Sequence, residues 1–196
     1  MTKRYPAFLN LKDANVLIVG GGLACLEKLT GLENTEANIS IITIELNPEV
    51  KKFVENKTNI TTIIREVKDV DLENRDLIFL ATNNSEINAK FRKVANQLKI
   101  LTNSVDDPNN CDFYSASLID LGSVSFAIST DGKFAGLSAA LRKLFEEIMP
   151  SEDTELFQKI YEMRAALKKR IPDMNERKKV LKDIIFNLES KYFNKE

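Results

Sequence analysis

The feature that most constrains the fold is a series of short apolar runs, separated by helical patterns, over the first hundred residues. The runs are NVLIVG (15–20), NISIIT (38–43), NITTII (59–64), DLIFLAT (76–82) and KILTNSV (99–105). Helical patterns begin at Leu23 and cover residues 48–56 and 85–98, where Ile87, Phe91, Val94 and Leu98 share one predicted face. Because strands this apolar need cover on both faces, the pattern predicts an α/β fold with a parallel sheet.

Three consecutive glycines, Gly20, Gly21 and Gly22, stand where the first strand should turn into the first helix. In the G-x-G-x-x-G pattern Gly20 and Gly22 take the first two positions, and Cys25 takes the third, which requires only a small residue. Such a turn lets the backbone approach a pyrophosphate at a helix N-terminus. The sequence therefore predicts a Rossmann-type, dinucleotide-binding sheet.

The ends of two later strands supply further candidates for the same site. Glu45, just past the second strand, is placed to hold the adenosine ribose, with Ile44 beside the adenine. No arginine is expected near that strand end, which favours NAD over NADP. Thr82 and Asn83, at the end of the fourth strand, are expected to border the cofactor.

The fifth apolar run leads into two adjacent carboxylates in LTNSVDDPNNCDF (101–113). Asp106 and Asp107 are either turn residues or acid/base groups at the mouth of a site. The chain has no histidine, so proton transfer near neutral pH must use a carboxylate, Lys, Tyr, Cys or the substrate itself. Asp106 follows a strand end, where ligands bind in such sheets, whereas Asp107 suits a turn.

The pattern changes after Asp112. Two alternating runs, FYSASLI (113–119) and SVSFAIST (123–130), predict a β-hairpin, followed by a helix and by two helical stretches split at Pro172. We therefore expect three parts: residues 1–112 as the NAD-binding domain, 113–150 as a dimerisation segment and 151–196 as a helical C-terminal domain. A lone hairpin is marginally stable, so a homodimer built on residues 113–150 is expected, with apolar surface from Phe113, Phe126, Leu141, Leu144, Phe145 and Ile148.

Composition excludes several classes of protein. No apolar run approaches a membrane span and the first residues lack the apolar core of a signal peptide, so a cytoplasmic protein without a membrane partner is expected. Cys25 and Cys111 fit no zinc spacing and no disulfide framework, and no metal site is predicted.

The net charge of −1 hides a basic segment, residues 159–182, which carries +6. Such a segment is either a solvated helix face or a surface for an anionic partner, a nucleic acid or a polycarboxylate. A non-enzymatic NAD(H)-sensing module with a basic DNA-binding tail is the alternative function. The segment is poor in Asn and Gln, the residues that read bases, so no nucleic-acid partner is expected.

Four stretches occur in an order that resembles one family. PAFLNLKDANVLIVGGG, the ATNN segment ending at Asn88, TNSVDDPNNCDF and AISTDGK are similar to the precorrin-2 dehydrogenase family, the dehydrogenase/ferrochelatase part of siroheme synthases. The resemblance covers residues 5 to 150. It implies oxidation of the tetrapyrrole precorrin-2 to sirohydrochlorin with NAD, insertion of Fe2+ in some members, and a homodimer.

The resemblance also implies roles for single residues. Leu23 and Ala24, like Ile44 and Glu45, would contact the cofactor, and Asp106 would be the catalytic aspartate. Ser129 and Thr130 fall on the active-site hydroxyl loop. Since the implied substrate is a polycarboxylate, Lys133 and Arg142 would pair with it, together with some of Arg164, Lys168, Lys169 and Arg170.

Overall fold

The structure, a computed structural model, describes residues 5–107, 111–122, 124–130, 134–148 and 152–193. In the first half of the chain, strands alternate with helices. The elements are β1 (Asn15–Val19), α1 (Leu23–Gly31), β2 (Asn38–Thr43), α2 (Pro48–Val54), β3 (Ile60–Ile64), a 3-10 helix (Asp69–Leu72), β4 (Leu77–Leu80), α3 (Ser85–Gln97) and β5 (Leu101–Ser104).

The five strands form one parallel sheet in the order β3-β2-β1-β4-β5. This confirms the predicted α/β, Rossmann-type sheet. Val19 of β1 pairs with Ile42 of β2 and with Leu80 of β4, which in turn pairs with Ser104 of β5. The strands therefore end in register, and the residues that follow each of them meet at one edge of the sheet.

The core explains why these strands are so apolar. On one face of the sheet Val16 and Ile18 pack with Cys25 and Leu29 of α1. On the other face Leu17 and Val19 pack with a cluster that includes Phe91 of α3. All four β1 side chains are at most 2% exposed, as expected for a central strand covered on both sides.

The predicted apolar face of α3 is partly wrong. Ile87 and Leu98 are exposed, whereas the polar residues Asn88 and Arg92 are buried beside Phe91. The physical reason is that both polar side chains hold neighbouring loops through hydrogen bonds. Burial of a polar group that has partners costs little.

A second compact unit comprises Ala116–Ile128 and Ala135–Glu196, while Met1–Ser115 groups with Ser129–Phe134. The second unit contains the antiparallel hairpin β6 (Ser117–Asp120) and β7 (Ser125–Ile128), then α4 (Ala135–Ile148), α5 (Glu152–Arg170) and α6 (Met174–Phe193). This confirms the predicted hairpin and helical C-terminal region. Within this unit the rings of Phe126 and Phe145 stack with centroids 5.9 Å apart.

The break between the last two helices has a local cause. Pro172 has no amide hydrogen, and Asp173 caps α6 by accepting hydrogen bonds from the amides of Asn175 and Glu176, at 2.9 and 2.8 Å. Arg177, one of the basic residues, donates to the carbonyl oxygens of Ile171 and Pro172. At least this one cation therefore has a structural role. In the part of the chain that the structure describes, no helix is both long enough and apolar enough to span a membrane.

Candidate functional site

The glycine turn after β1 is built by close backbone approach. Gly20 has φ +116°, and a Cβ there would overlap the Ala81 carbonyl oxygen. A Cβ on Gly21 would overlap the Glu45 carbonyl oxygen and lie 2.8 Å from the Thr43 hydroxyl oxygen. Only glycine fits at these two positions, because β1, β2 and β4 all end here.

Gly22 differs from its two neighbours. It is the N-cap of α1 with an extended backbone (φ −88°), no side-chain cap and no acidic residue in the first turn. A Cβ on Gly22 would meet no atom within 4 Å. The cap residue therefore offers no side-chain acceptor to the first amides of α1, and the space beside it is open. An anion could accept the hydrogen bonds of these amides.

A cavity of about 750 Å³ lies over this turn, within the first unit. Such a volume falls in the range of small-molecule and cofactor sites, roughly 300–1,000 Å³. All but one of the predicted cofactor residues line this cavity: Gly20, Gly21, Gly22, Ala24, Ile44, Glu45, Thr82 and Asn83. The exception is Leu23, which is exposed and is not a lining residue. Cys25, at the third glycine position of the motif, is instead buried between helix and sheet.

One side of the cavity is formed by the residues after β2. The Thr43 hydroxyl donates to the Glu45 carbonyl oxygen at 2.6 Å, and the Asn47 amide donates to the Gly21 carbonyl oxygen at 2.9 Å. The first bond holds the turn after β2, and the second attaches this segment to the glycine turn. The Glu45 carboxylate is exposed and pairs with no other side chain among the described residues, so it is available to a ligand.

Arg65 corrects one expectation from the sequence. An arginine does lie beside the end of β2: the Arg65 amide donates to the Thr43 carbonyl oxygen at 2.9 Å, and Arg65 is one of the residues that line the cavity. The register explains the correction, since Ile64, at the end of β3, pairs with Thr43. The sequence separation of 20 residues between Glu45 and Arg65 hides a neighbourhood that the sheet creates.

The opposite side of the cavity is held by a buried amide. The Thr82 hydroxyl donates to Asn88 Oδ1 at 2.6 Å, and Asn88 Nδ2 donates to the Thr82 carbonyl oxygen at 3.1 Å. Asn84 caps α3 through the amides of Glu86 and Ile87. Asn88, 1% exposed, is a positioning residue that hydrophobic periodicity could not reveal.

Asp106 lies two residues beyond the end of β5, at the same edge of the sheet as the glycine turn. Its carboxylate is exposed and accepts a hydrogen bond from the buried Ser104 hydroxyl at 2.6 Å. Ser104 therefore orients one carboxylate oxygen and leaves the other to solvent or a ligand. The sequence pattern did not predict a role for Ser104, because a serine at this position is typical of an ordinary strand.

The segment after Asp107 returns alongside β5. The Cys111 thiol accepts from the Ser104 amide and donates to the Ser104 carbonyl oxygen, both at 3.1 Å. The Asp112 carboxylate accepts from the Thr102 amide at 2.9 Å and from Arg92 Nη2 at 2.6 Å. Burial raises the pKa of the Cys111 thiol, so Cys111 acts here as a neutral, structural group.

The remaining predicted residues fall in different places. Ser129 and Thr130 group with the first unit, and the Thr130 hydroxyl donates to the Phe134 carbonyl oxygen at 3.1 Å. Lys133 lies outside the described residues. Arg142, on α4 in the second unit, is half-buried, and its Nη1 lies 3.9 Å from a Glu146 carboxylate oxygen.

The chain is similar to proteins of known family and structure. The NAD_binding_7 model of an NAD(P)-binding family matches residues 7–117. A solved structure, SirC, precorrin-2 dehydrogenase, superposes with a TM-score of 0.80 and 26% identity, over 93% of this chain and 89% of that chain.

The chain belongs to the precorrin-2 dehydrogenase family.

Curated relatives extend this result. The siroheme synthase of Baumannia cicadellinicola is 36% identical over 145 residues, 74% of this chain and 31% of the relative. That of Blochmanniella pennsylvanica is 33% identical over 182 residues, 93% of this chain and 38% of the relative. That of Thioalkalivibrio sulfidiphilus is 30% identical over 175 residues, 89% of this chain and 36% of the relative. The chain thus spans about a third of the length of these siroheme synthases.

The site of this precorrin-2 dehydrogenase family member fits the cofactor that the family implies. The turn at Gly20 and Gly21 has no room for side chains, and Gly22 leaves the N-terminus of α1 open to a pyrophosphate. The prediction of a nicotinamide cofactor is confirmed by the family match. Bound there, the dinucleotide would be held by the glycine turn, by the Glu45 side and by the Thr82 side of the cavity.

Proposed function

We propose that this protein oxidises precorrin-2 to sirohydrochlorin, with NAD+ as the hydride acceptor. The observation that carries the proposal is the position of Asp106, a carboxylate held by Ser104 at the sheet edge that also carries the glycine turn. The overall likeness to SirC, precorrin-2 dehydrogenase, supports the same reaction. Membership of an NAD(P)-binding family supports the hydride acceptor.

The chain's own residues have distinct tasks in this proposal. When bound, the nicotinamide takes up a hydride from the substrate, so one proton must also leave as conjugation extends. Asp106 is placed to receive that proton, since the Ser104 hydroxyl occupies only one of its oxygens. The residues at 111–113 keep the strand end in position, and Asp107 belongs to the turn.

NAD, rather than NADP, is the proposed cofactor because of Glu45. A free carboxylate after the second strand accepts hydrogen bonds from a ribose diol and repels a 2′-phosphate. Glu45 is exposed and lines the cavity beside Ile44. The hydroxyl pair of an NAD ribose is therefore the better partner.

The substrate side of the proposal rests on charge and on the loop at Ser129 and Thr130. The tetrapyrrole carries many carboxylates, and Lys133, Arg142 and the basic segment supply cations that suit them.

Insertion of Fe2+, as a second substrate, is a further part of the proposal, with Asp106 as an oxygen ligand or proton relay. A cytoplasmic location remains part of the proposal as well.

We also propose a homodimer built on residues 113–150. Phe113 is an exception to the expected apolar surface, because its ring packs edge-on against Phe79 in the core of the first unit. The exposed apolar side chains of α4 support the homodimer: Leu137, Leu144, Phe145 and Ile148 are 38–58% exposed. A two-stranded hairpin and one helix rarely leave such a stripe uncovered. Sedimentation at micromolar protein concentration tests this, and an active monomer would refute it.

The main experiment is an anaerobic assay with precorrin-2 and NAD+, followed by absorbance spectra. Asp106→Ala should lower the rate by about 10²–10⁴-fold, the usual contribution of general acid–base catalysis. Asp107→Ala is the matched control and should have a much smaller effect. An Asp106→Ala protein that oxidises precorrin-2 at the parental rate would show that Asp106 is only a turn residue.

Two additional experiments test iron insertion and the alternative function in DNA binding. If iron insertion uses the same pocket, Asp106→Ala should slow formation of siroheme from sirohydrochlorin and Fe2+, whereas Gly22→Asp should not. Binding of duplex DNA that is weak and falls steeply with salt would be the non-specific behaviour of a basic surface. Tight, sequence-specific binding would instead favour the DNA-binding alternative.

A further inference from the structure

Arg65 stands where a Rossmann-type site distinguishes NAD from NADP. Its backbone is joined to the end of β2 by the 2.9 Å bond to Thr43, and both Arg65 and Glu45 line the cavity. In such folds an acid after the second strand binds the ribose diol of NAD, whereas a nearby arginine accommodates the 2′-phosphate of NADP. This chain has both types of residue, so its preference between NAD and NADP depends on whether the Arg65 guanidinium is free or paired with another group.

The guanidinium of Arg65 is occupied by a single carboxylate. Its Nη1 and Nη2 donate to the two oxygens of Asp71, each at 2.7 Å, and Nη1 also donates to the Glu66 carbonyl oxygen at 2.9 Å. The Asp71 side chain is 10% exposed and that of Arg65 is 38% exposed. A bidentate pair of this kind is the strongest and most directional form of ion pair.

Asp71 is itself held from several sides. Its Oδ2 accepts from the Lys68 amide at 2.7 Å, and its carbonyl oxygen accepts from Arg75 Nε at 3.0 Å. The hydrogen bonds from Arg65 lower the pKa of the Asp71 carboxyl, so it is ionised at neutral pH. The arginine is therefore neutralised by a fixed anion and is directed away from the role of a phosphate ligand.

We propose that Asp71 is a specificity-determining residue for the cofactor, acting through Arg65. By pairing with both terminal nitrogens of the guanidinium, it withholds the cation that a 2′-phosphate would need beside Glu45. NADP is rejected because its extra charge meets the Glu45 carboxylate and an arginine that is already paired. Loss of the Asp71 charge should convert the same arginine into a phosphate ligand. Lys90, the other cation among the described lining residues, lies on α3 after β4.

This inference rests on the proposed cofactor site, and direct binding tests it without substrate. NAD+ and NADP+ are titrated by calorimetry into the wild type, Asp71→Asn and Asp71→Asn with Arg65→Gln. We expect Asp71→Asn to bind NADP+ about tenfold more tightly than the wild type does, the usual effect of one charged hydrogen bond, with NAD+ affinity changed less than about twofold. Removal of Arg65 should abolish the gain.

Two further variants control for folding and for charge. Asparagine keeps an acceptor for the Lys68 amide, and Asp71→Ser gives a second variant that also releases Arg65. Glu33→Gln removes one carboxylate from a surface ion pair with Lys57, 2.8 Å long, and should change neither affinity. All variants are checked by circular dichroism.

The outcomes are distinct. An unchanged ratio of NAD+ to NADP+ affinity in folded Asp71→Asn and Asp71→Ser proteins would overturn the role of Asp71 and leave the proposed function standing. A gain in NADP+ affinity that survives the loss of Arg65 would also overturn it. A wild-type protein that binds neither nucleotide would overturn this inference and the proposed function together.

Discussion

Substitution of Gly22 separates the requirements of the fold from those of the cofactor. A Cβ at Gly22 meets no atom within 4 Å, and its φ of −88° is open to any residue. Aspartate is a favoured N-cap residue, worth a few tenths of a kcal/mol over glycine. Gly22→Asp should therefore unfold in urea with a free energy within about 0.5 kcal/mol of the wild type in the absence of ligand.

The effect on NAD+ should be large by contrast. The new carboxylate would stand at the helix N-terminus that is proposed to receive the pyrophosphate. Two like charges about 4 Å apart repel by about 1 kcal/mol in water and about 4 kcal/mol near a protein surface. With two phosphate charges, even the lower value amounts to about 2 kcal/mol. NAD+ affinity should therefore fall by at least about 30-fold.

The same helix offers a matched control. A Cβ on Gly31, at the last turn of α1, also meets no atom within 4 Å. Gly31→Asp adds the same charge and should leave NAD+ affinity unchanged, at a cost in stability of about 0.3–1 kcal/mol from the helix dipole. Calorimetric titration with NAD+ and urea unfolding without it measure both quantities. A folded Gly22→Asp protein that binds NAD+ like the wild type would refute the proposed site.

Three further predictions follow from buried or paired side chains. Asn88→Ala should lower the free energy of unfolding by about 1–3 kcal/mol and weaken NAD+ binding, because Thr82 loses a buried partner; urea unfolding and titration test this, and unchanged values would contradict it. Arg65 lowers the pKa of the Asp71 carboxyl, so the pair stabilises the fold fully at a pH above the pKa that Asp71 has in the unfolded chain. This stabilisation decreases as the pH falls toward the lower pKa of the folded state. The stability lost in Asp71→Asn should thus be larger at neutral pH than at about pH 3, and equal losses would refute the reasoning. Burial raises the pKa of the Cys25 thiol to about 12, so Ellman's reagent should titrate at most one of the two thiols before denaturation, and rapid labelling of both in the native protein would disprove the burial of Cys25.

The sequence was sufficient for the sheet and for the glycine turn because both depend on local patterns. Five apolar runs separated by helices predict parallel strands, and the glycines mark the point where backbone segments meet. The structure adds the reason for two of the glycines: Gly20 faces Ala81, directly after β4, and Gly21 faces Glu45. The same local patterns place the helix break at Pro172.

Neighbourhoods that arise only from strand order could not be predicted. Arg65 comes beside the end of β2 because β3 pairs with β2, a pairing between residues about 20 apart that the glycine motif does not encode. The buried face of α3 was also missed in part, because periodicity counts apolar residues and two of its buried positions are Asn88 and Arg92. Their burial follows from partners in loops, which only the folded chain supplies.

The two carboxylates after the fifth strand illustrate how one segment can serve the fold and the site. β5 is an edge strand, and an uncovered edge is open to pairing with another chain. Here the Asp112 amide donates to the Thr102 carbonyl oxygen, and the Thr102 amide donates to the Asp112 carboxylate, both at 2.9 Å. The returning segment thus covers the edge in the manner of a strand. The Cys111 thiol accepts a hydrogen bond from the Ser104 amide, and the Ser104 hydroxyl donates to the Asp106 carboxylate. The segment that covers the edge strand therefore also fixes the backbone of Ser104, whose hydroxyl orients the proposed catalytic carboxylate of Asp106. This double task explains why Asp106, Cys111 and Asp112 follow the strand so closely.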